Sequence, residues 1–177
     1  AVAGLVATLH NEIGVRGVGS IFKILPVNIF TSGMIDETIA EAIDWAWQND
    51  ADVLSNSWGH LTQGYYDADI ADAIISAMAE GRDGLGCPVV FSAGNSHYIQ
   101  FPANILGVIT VGGMAHDGTK YSGSAIDDQI DIVAPTKQGN GEGGIVTMDR
   151  MGELGYSDGN YTFDFDGTSA SCPQVSG

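Results

Sequence analysis

The chain has 177 residues, a formal net charge of −16, 44% apolar residues and 25 glycines. That length supports one domain with a sizeable core, and the composition suits a glycine-rich globular α/β protein rather than a disordered one. The acid excess argues against a nucleic-acid partner, no apolar run is long enough to cross a bilayer, and no signal peptide is present in these residues. The same charge suits a soluble protein that binds cations or tolerates salt; it names no substrate. Cys87 and Cys172 are the only cysteines. They could pair, but their apolar and small-residue surroundings favour two buried free thiols.

In chain order, residues 1–9 predict a short apolar helix without an N-cap, followed by a glycine-rich loop over 9–18. Residues 21–30 are apolar and β-branched, which predicts a buried strand. Asp36 and Glu37 put negative charge at the start of a helix. Ile35, Ile39, Ile43, Ala46 and Trp47 recur in three- and four-residue steps, so one stripe faces a core up to Asn49–Asp50. Residues 52–59 predict a strand entering a loop. Residues 68–80 predict a second helix with Ile70, Ala73, Ile74, Ala77 and Met78 on its buried stripe, closed by a turn-rich break at 80–86. Residues 87–92, 108–112 and 130–135 predict further strands. Within the loop-rich 137–160, residues 145–147 predict a short strand. Residues 161–166 alternate as a half-exposed strand would, and are expected to pair with it as a hairpin. The alternation of strands and helices predicts an α/β fold: a mostly parallel central sheet, helices on both faces and right-handed crossovers. Ligands in such sheets gather at the carboxyl ends of the strands.

Three places carry chemistry. Gly167, Thr168 and Ser169, with Pro173 four positions after Ser169, predict a tight turn entering a helix. Proline is tolerated in the first turn of a helix. Ser169 then sits beside unpaired N–H groups at the positive end of the dipole. Its hydroxyl is either a helix cap or a nucleophile whose developing charge those groups stabilise. Asn95, at a strand end, either makes a turn with Gly94 or donates to an oxyanion. Trp58 is either a buried core residue or a pocket wall. His10, His60, His97 and His116 read as surface or loop residues. Without a base the serine hydroxyl stays protonated and weakly nucleophilic.

Gly167-Thr168-Ser169-Ala170, followed by Pro173, Val175 and Gly177, resembles the nucleophile motif of the subtilisin-like serine proteases, the subtilases. Val2-Ala3-Gly4 resembles the tail of the family's His-Gly-Thr-x-Val-Ala-Gly helix. Ser57-Trp58-Gly59 resembles its substrate-binding strand, and Ser92-Ala93-Gly94-Asn95 its oxyanion-hole segment. The matches keep the family's order and cover essentially the whole chain.

The resemblance implies a partial subtilase catalytic domain over residues 1–177, with a subtilisin-like sheet truncated at both ends. The family's catalytic histidine would stand three positions before Ala1, its aspartate further upstream, and the chain stops inside the nucleophile helix. A strand would be missing from within the sheet, so the isolated chain is expected to be inactive and poorly folded, and to need its own upstream segment.

The implied activity is that of a serine endopeptidase acting on polypeptides through a Ser169 acyl-enzyme. Asn95 and the Ser169 amide would hold the oxyanion. Ser57, Trp58 and Gly59 would align substrate as an added β-strand, with Ser92, Ala93 and Gly94 alongside. The loop resembles the family's calcium loop, with Asn11 and the carbonyls of Leu9, Ile13 and Val15 as ligands. Calcium takes about 6–8 oxygens, so upstream segments would complete the site; a metal-free turn is the alternative. The carbonyls of Ala103, Ile105 and Val108 resemble a second, weaker cation site. Phe101-Pro102-Ala103 resembles the loop that shapes the pocket for the residue before the cleaved bond, and Thr136 stands where the family usually has glycine. Asp166 either favours a basic substrate residue or is a solvated acid. The family's location is extracellular or in the cell envelope. Two other functions stay open: a noncatalytic peptide-binding module, and an esterase, against which the lack of a Gly-x-Ser-x-Gly elbow counts.

Overall fold

The computed structural model describes residues 1–30, 35–137 and 143–177; residues 138–142 of the expected loop-rich region lie outside them. A short helix α1 (Val2–Ala7) is followed by α2 (Asp36–Gln48), strand β1 (Leu54–Asn56), α3 (Ala68–Gly84), β2 (Val89–Ser92), β3 (Ile109–Met114) and β4 (Ile132–Pro135). Strands β5 (Ile145–Met148) and β6 (Tyr161–Phe165) lead into α4 (Thr168–Ser176). The first four strands form a parallel sheet in the order β1-β2-β3-β4. Leu54 stands opposite Val89, Val90 opposite Ile109 and Val111 opposite Ile132. Strands β5 and β6 pair antiparallel, as the sequence predicts.

Side-chain alternation along β2 explains why both faces are covered. Val89 and Phe91 join the core formed with Ile39 and Ile43 of α2 and Ile70 and Ile74 of α3. Val90 points the other way, to Val111, Ala134 and Cys172 of α4. Ile39, Ile70, Ile74 and Phe91 are fully buried, each contributing about 1.5–3 kcal/mol of transfer free energy. Helix α3 starts at Asp67, whose carboxylate accepts the Ile70 amide at 2.9 Å. It loses helical geometry at Gly81, Arg82 and Asp83, where the turn-rich break was expected. Leu5 of α1 packs with Phe165 and Ala170. Gly4 lets α1 lie close against β5: a Cβ there would lie 2.5 Å from Thr147 Oγ1. Among the described residues no helix is long and apolar enough to cross a membrane.

Two expectations are corrected. Residues 21–30 form no strand. Ile21 is 87% exposed and Phe30 59%, and Ile29 is the one large apolar side chain of the segment that is buried. Side-chain pattern encodes a face to bury, but a strand also needs a partner for its N–H and C=O groups. Among the described residues the segment's one hydrogen bond is local, from Phe30 N to Asn28 Oδ1. Ile35 is the exposed N-cap of α2, so its buried stripe begins at Ile39.

Candidate active site

The site is built where β1, β2 and the start of α4 meet, at the carboxyl ends of parallel strands. Gly167 is the N-cap of α4, with φ 73° and ψ 178°, a conformation open essentially to glycine alone. Glycine is needed for space as well: a Cβ at residue 167 would lie 2.8 Å from Asn95 Nδ2. The Gly167 carbonyl accepts the Thr136 hydroxyl at 2.8 Å, which ties the turn to the end of β4.

Thr168, fully buried, joins this turn to the end of β2. Its amide donates to Asn95 Oδ1 at 2.9 Å and its hydroxyl to the same oxygen at 3.2 Å. The Gly94 amide donates to the Thr168 hydroxyl at 3.2 Å. Two donors on Oδ1 fix which end of the carboxamide is oxygen and which is Nδ2. Asn95 is exposed, and neither its Nδ2 nor the Ser169 amide has an acceptor among the described residues.

Ser169 and Ser57 are joined reciprocally. Ser57 Oγ donates to the Ser169 carbonyl at 3.0 Å, and Ser169 Oγ donates to the Ser57 carbonyl at 3.3 Å. Pro173 explains the first bond and corrects a further expectation. It lies beyond the first turn, at the sixth residue of α4. Lacking an N–H, it cannot close the helical bond to the carbonyl four residues back, which is that of Ser169. The Ser57 hydroxyl takes the freed oxygen. Further along α4, Ser171 Oγ donates to Ala134 O at 2.9 Å. Cys172 Sγ donates to Asn56 O at 3.3 Å, and burial pushes its thiol pKa up. Both cysteines are free and buried.

The remaining expected residues are placed as follows. Ser92 and Ala93 are buried under the site, with the Ala93 amide on Val111 O at 2.9 Å. Trp58 packs its ring edge against Phe91, centroids 5.1 Å apart, and its indole N–H donates to Asn56 Oδ1 at 3.0 Å. His10 is bonded to Gly17 O at 2.7 Å, and His97 and His116 are exposed. His60 is partly buried, stacked on Tyr65 with centroids 4.0 Å apart and 3.4 Å from Asp36 Oδ1. None of the four bonds to Ser169. Asp166 is exposed.

In the 9–17 loop, Asn11 Oδ1 accepts the Ile13 amide at 2.9 Å and Leu9 O accepts the Asn11 amide at 3.0 Å. Those oxygens keep lone pairs for a cation, yet Asn11, Leu9, Ile13 and Val15 together remain short of a full calcium shell. Among the described residues no cluster of three or more His, Cys, Asp or Glu could hold a metal. Ala103 O is taken by the Thr110 hydroxyl and Ile105 O by the Val108 amide. Sequence reasoning missed the pinning role of Thr168 and the tether at Thr136. A threonine between a glycine and the candidate Ser169 is the signal that could have exposed the first.

A sequence model described as the subtilase family matches residues 1–177. The chain is 32% identical to a "Calcium-dependent protease" of Nostoc sp., over all of this chain and 30% of that protein. It is 31% identical to "Subtilisin DY" of Bacillus licheniformis, over 99% of this chain and 59% of that one. A solved protease of Pseudoalteromonas arctica superposes with a TM-score of 0.79 at 26% identity, covering 99% of this chain and 55% of that structure. The chain thus spans less than two thirds of the length of each of these relatives. With a family model matching its whole length, the chain belongs to the subtilase family.

Proposed function

We propose that this chain is the substrate-binding and nucleophile half of a serine endopeptidase that cleaves polypeptides through a Ser169 acyl-enzyme. The observation that carries the reading is the Asn95 carboxamide, held by its oxygen on the amide and hydroxyl of Thr168, the residue before Ser169. Asn95 Nδ2 and the Ser169 N–H would donate to the oxyanion that forms when Ser169 Oγ attacks a peptide carbonyl. Ser57, Trp58 and Gly59 would pair with the substrate backbone, and Ser92, Ala93 and Gly94 would support the opposite wall. The base and the carboxylate that orients it come from chain outside residues 1–177. Calcium is a structural ion in this reading: Asn11 Oδ1 and the carbonyls of Leu9, Ile13 and Val15 supply part of its shell. The protein works outside the cell or in its envelope.

The test is fluorophosphonate labelling with peptide hydrolysis. In the full-length gene product Ser169 is labelled, and N95A lowers the rate by about 10²–10³-fold, the cost established for such a donor in subtilisin. The isolated chain stays unlabelled, because no described histidine reaches Ser169 and its hydroxyl is spent on Ser57 O. Full-length protein that binds peptides but never labels would favour the noncatalytic module instead.

A further inference from the structure

Among the described residues, two of the three sealed side-chain polar atoms without a hydrogen bond are neighbours: Asp36 Oδ1 and His60 Nε2, 3.4 Å apart. Asp36 is the first residue of α2, and His60 directly follows the Ser57–Gly59 segment that leaves β1. Buried polar atoms are paired as a rule, so a facing pair of orphans has a cause.

The imidazole is held on every side. It stacks on Tyr65 with ring centroids 4.0 Å apart and planes 14° from parallel. Trp58 and Phe101 flank it at 6.5 and 6.0 Å, and the His60 amide donates to Phe101 O at 2.8 Å. The Tyr65 hydroxyl donates to Asp36 Oδ2, which pushes the phenol's pKa up to about 12 and keeps it a neutral donor. His60 Nδ1 has no partner among the described residues and is not sealed, so it exchanges its proton with water. Of the charged groups on the elements around the ring, Asp36 alone reaches it. Glu37 lines the groove between α2 and α3, Asp67 caps α3, and the segment carrying Phe101 brings only the Tyr98 hydroxyl, bonded to Leu61 O.

The contact depends on where the imidazole carries protons. With one proton, on Nδ1, the lone pairs of Nε2 and Oδ1 face each other away from water, which is repulsive. With one proton, on Nε2, the ring donates to Oδ1. With both nitrogens protonated that bond becomes charge-assisted, and the cation lies over the face of Tyr65. We propose that His60 and Asp36 form a proton-gated clasp tying the segment of Ser57, Trp58 and Gly59 to the first turn of α2. The clasp is tight when the imidazole is charged and slack when it is neutral. A carboxylate partner favours the charged ring, so the clasp is complete at acid pH and is lost as pH climbs through the imidazole range, about 5 to 8. It does not depend on acylation of Ser169; only its consequence for substrate rests on the endopeptidase reading.

The test is amide hydrogen exchange read by mass spectrometry on the full-length gene product, each rate divided by the intrinsic chemical rate at its pH. Protection over residues 57–65 is expected to fall about fivefold between about pH 5.5 and 8.5, the scale of one partly exposed ion pair. D36N and H60Q are each expected to hold that protection flat, with α3 as the unchanging internal standard. H60Q keeps a side-chain N–H donor and removes the titration, so it separates the clasp from a general loss of packing; D36N serves if H60Q fails to fold. A parent as flat as D36N, protection that rises toward alkaline pH, or a pH dependence surviving in H60Q overturns the proposal. With casein as substrate, KM should rise with pH more steeply in the parent than in D36N, while the kcat profiles match. Parallel KM profiles would remove the consequence for substrate. Intact proton-gated protection in a protein that never hydrolyses counts against the acyl-enzyme alone, and hydrolysis with flat protection counts against the clasp alone.

Discussion

Replacing Thr168 by valine tests the joint on which the site depends. Valine keeps the shape of the side chain and exchanges the hydroxyl for a methyl group. Two bonds vanish: Gly94 N to Thr168 Oγ1 and Thr168 Oγ1 to Asn95 Oδ1, both 3.2 Å. Asn95 Oδ1 keeps the Thr168 amide at 2.9 Å, so it is not stranded. The Gly94 amide is, because Gly94 is buried and the hydroxyl was its acceptor. Stranding one buried donor costs about 1–3 kcal/mol. Both lost bonds are long for their type, which places the expectation at about 1–2 kcal/mol. T168S keeps the hydroxyl and is expected to cost less. Urea unfolding of the full-length gene product, followed by tryptophan fluorescence, measures the difference. In an N95A background T168V is expected to cost less than alone, with a coupling of at least about 0.5 kcal/mol. A T168V chain within about 0.5 kcal/mol of the parent, or an identical cost in both backgrounds, would refute the account of Thr168 as the pin of Asn95.

Three further outcomes are expected. Tyr65 donates to Asp36, which pushes its pKa up to about 12. The fold favours the neutral phenol, so this contribution is complete below about pH 10 and fades as pH climbs to about 12. Absorbance titration near 295 nm should show one tyrosine moving down in D36N, and an unchanged curve would contradict the assignment. Burial pushes the thiols of Cys87 and Cys172 up, so a thiol reagent at pH 8 should react slowly with the folded chain and fast in guanidinium. Prompt native reaction of Cys172 would mean that α4 is not seated on the sheet. Glu37, Glu41, Asp44, Asp69 and Asp72 line one groove between α2 and α3 in a chain of net charge −16. Its melting temperature by calorimetry should rise as sodium chloride goes from about 0.1 to 1 M, which shortens the screening length from about 10 to 3 Å. A fall would show that self-repulsion does not limit stability.

Much of the fold was legible because its signals are local. Three- and four-residue spacing marked α2 and α3, and continuous apolar runs marked β2 and β4. The hairpin of β5 and β6 followed from alternation. Residues 21–30 carry an equally good strand pattern and form none, since pairing is a property of two segments. Pro173 read as a first-turn residue from its neighbours; its position in the second turn matters through a carbonyl taken by Ser57, 112 positions away from Ser169.

The sequence by itself determined the family, the order of the elements and the identity of Ser169 and Asn95 as residues to watch, because motif and periodicity reside in neighbouring residues. Only the tertiary structure decided that Thr168 orients the Asn95 amide, that Ser57 and Ser169 exchange hydrogen bonds, and that His60 meets Asp36. Each of these is a contact between segments far apart in the chain, and hydrogen-bond direction and burial exist only once those segments have been brought together.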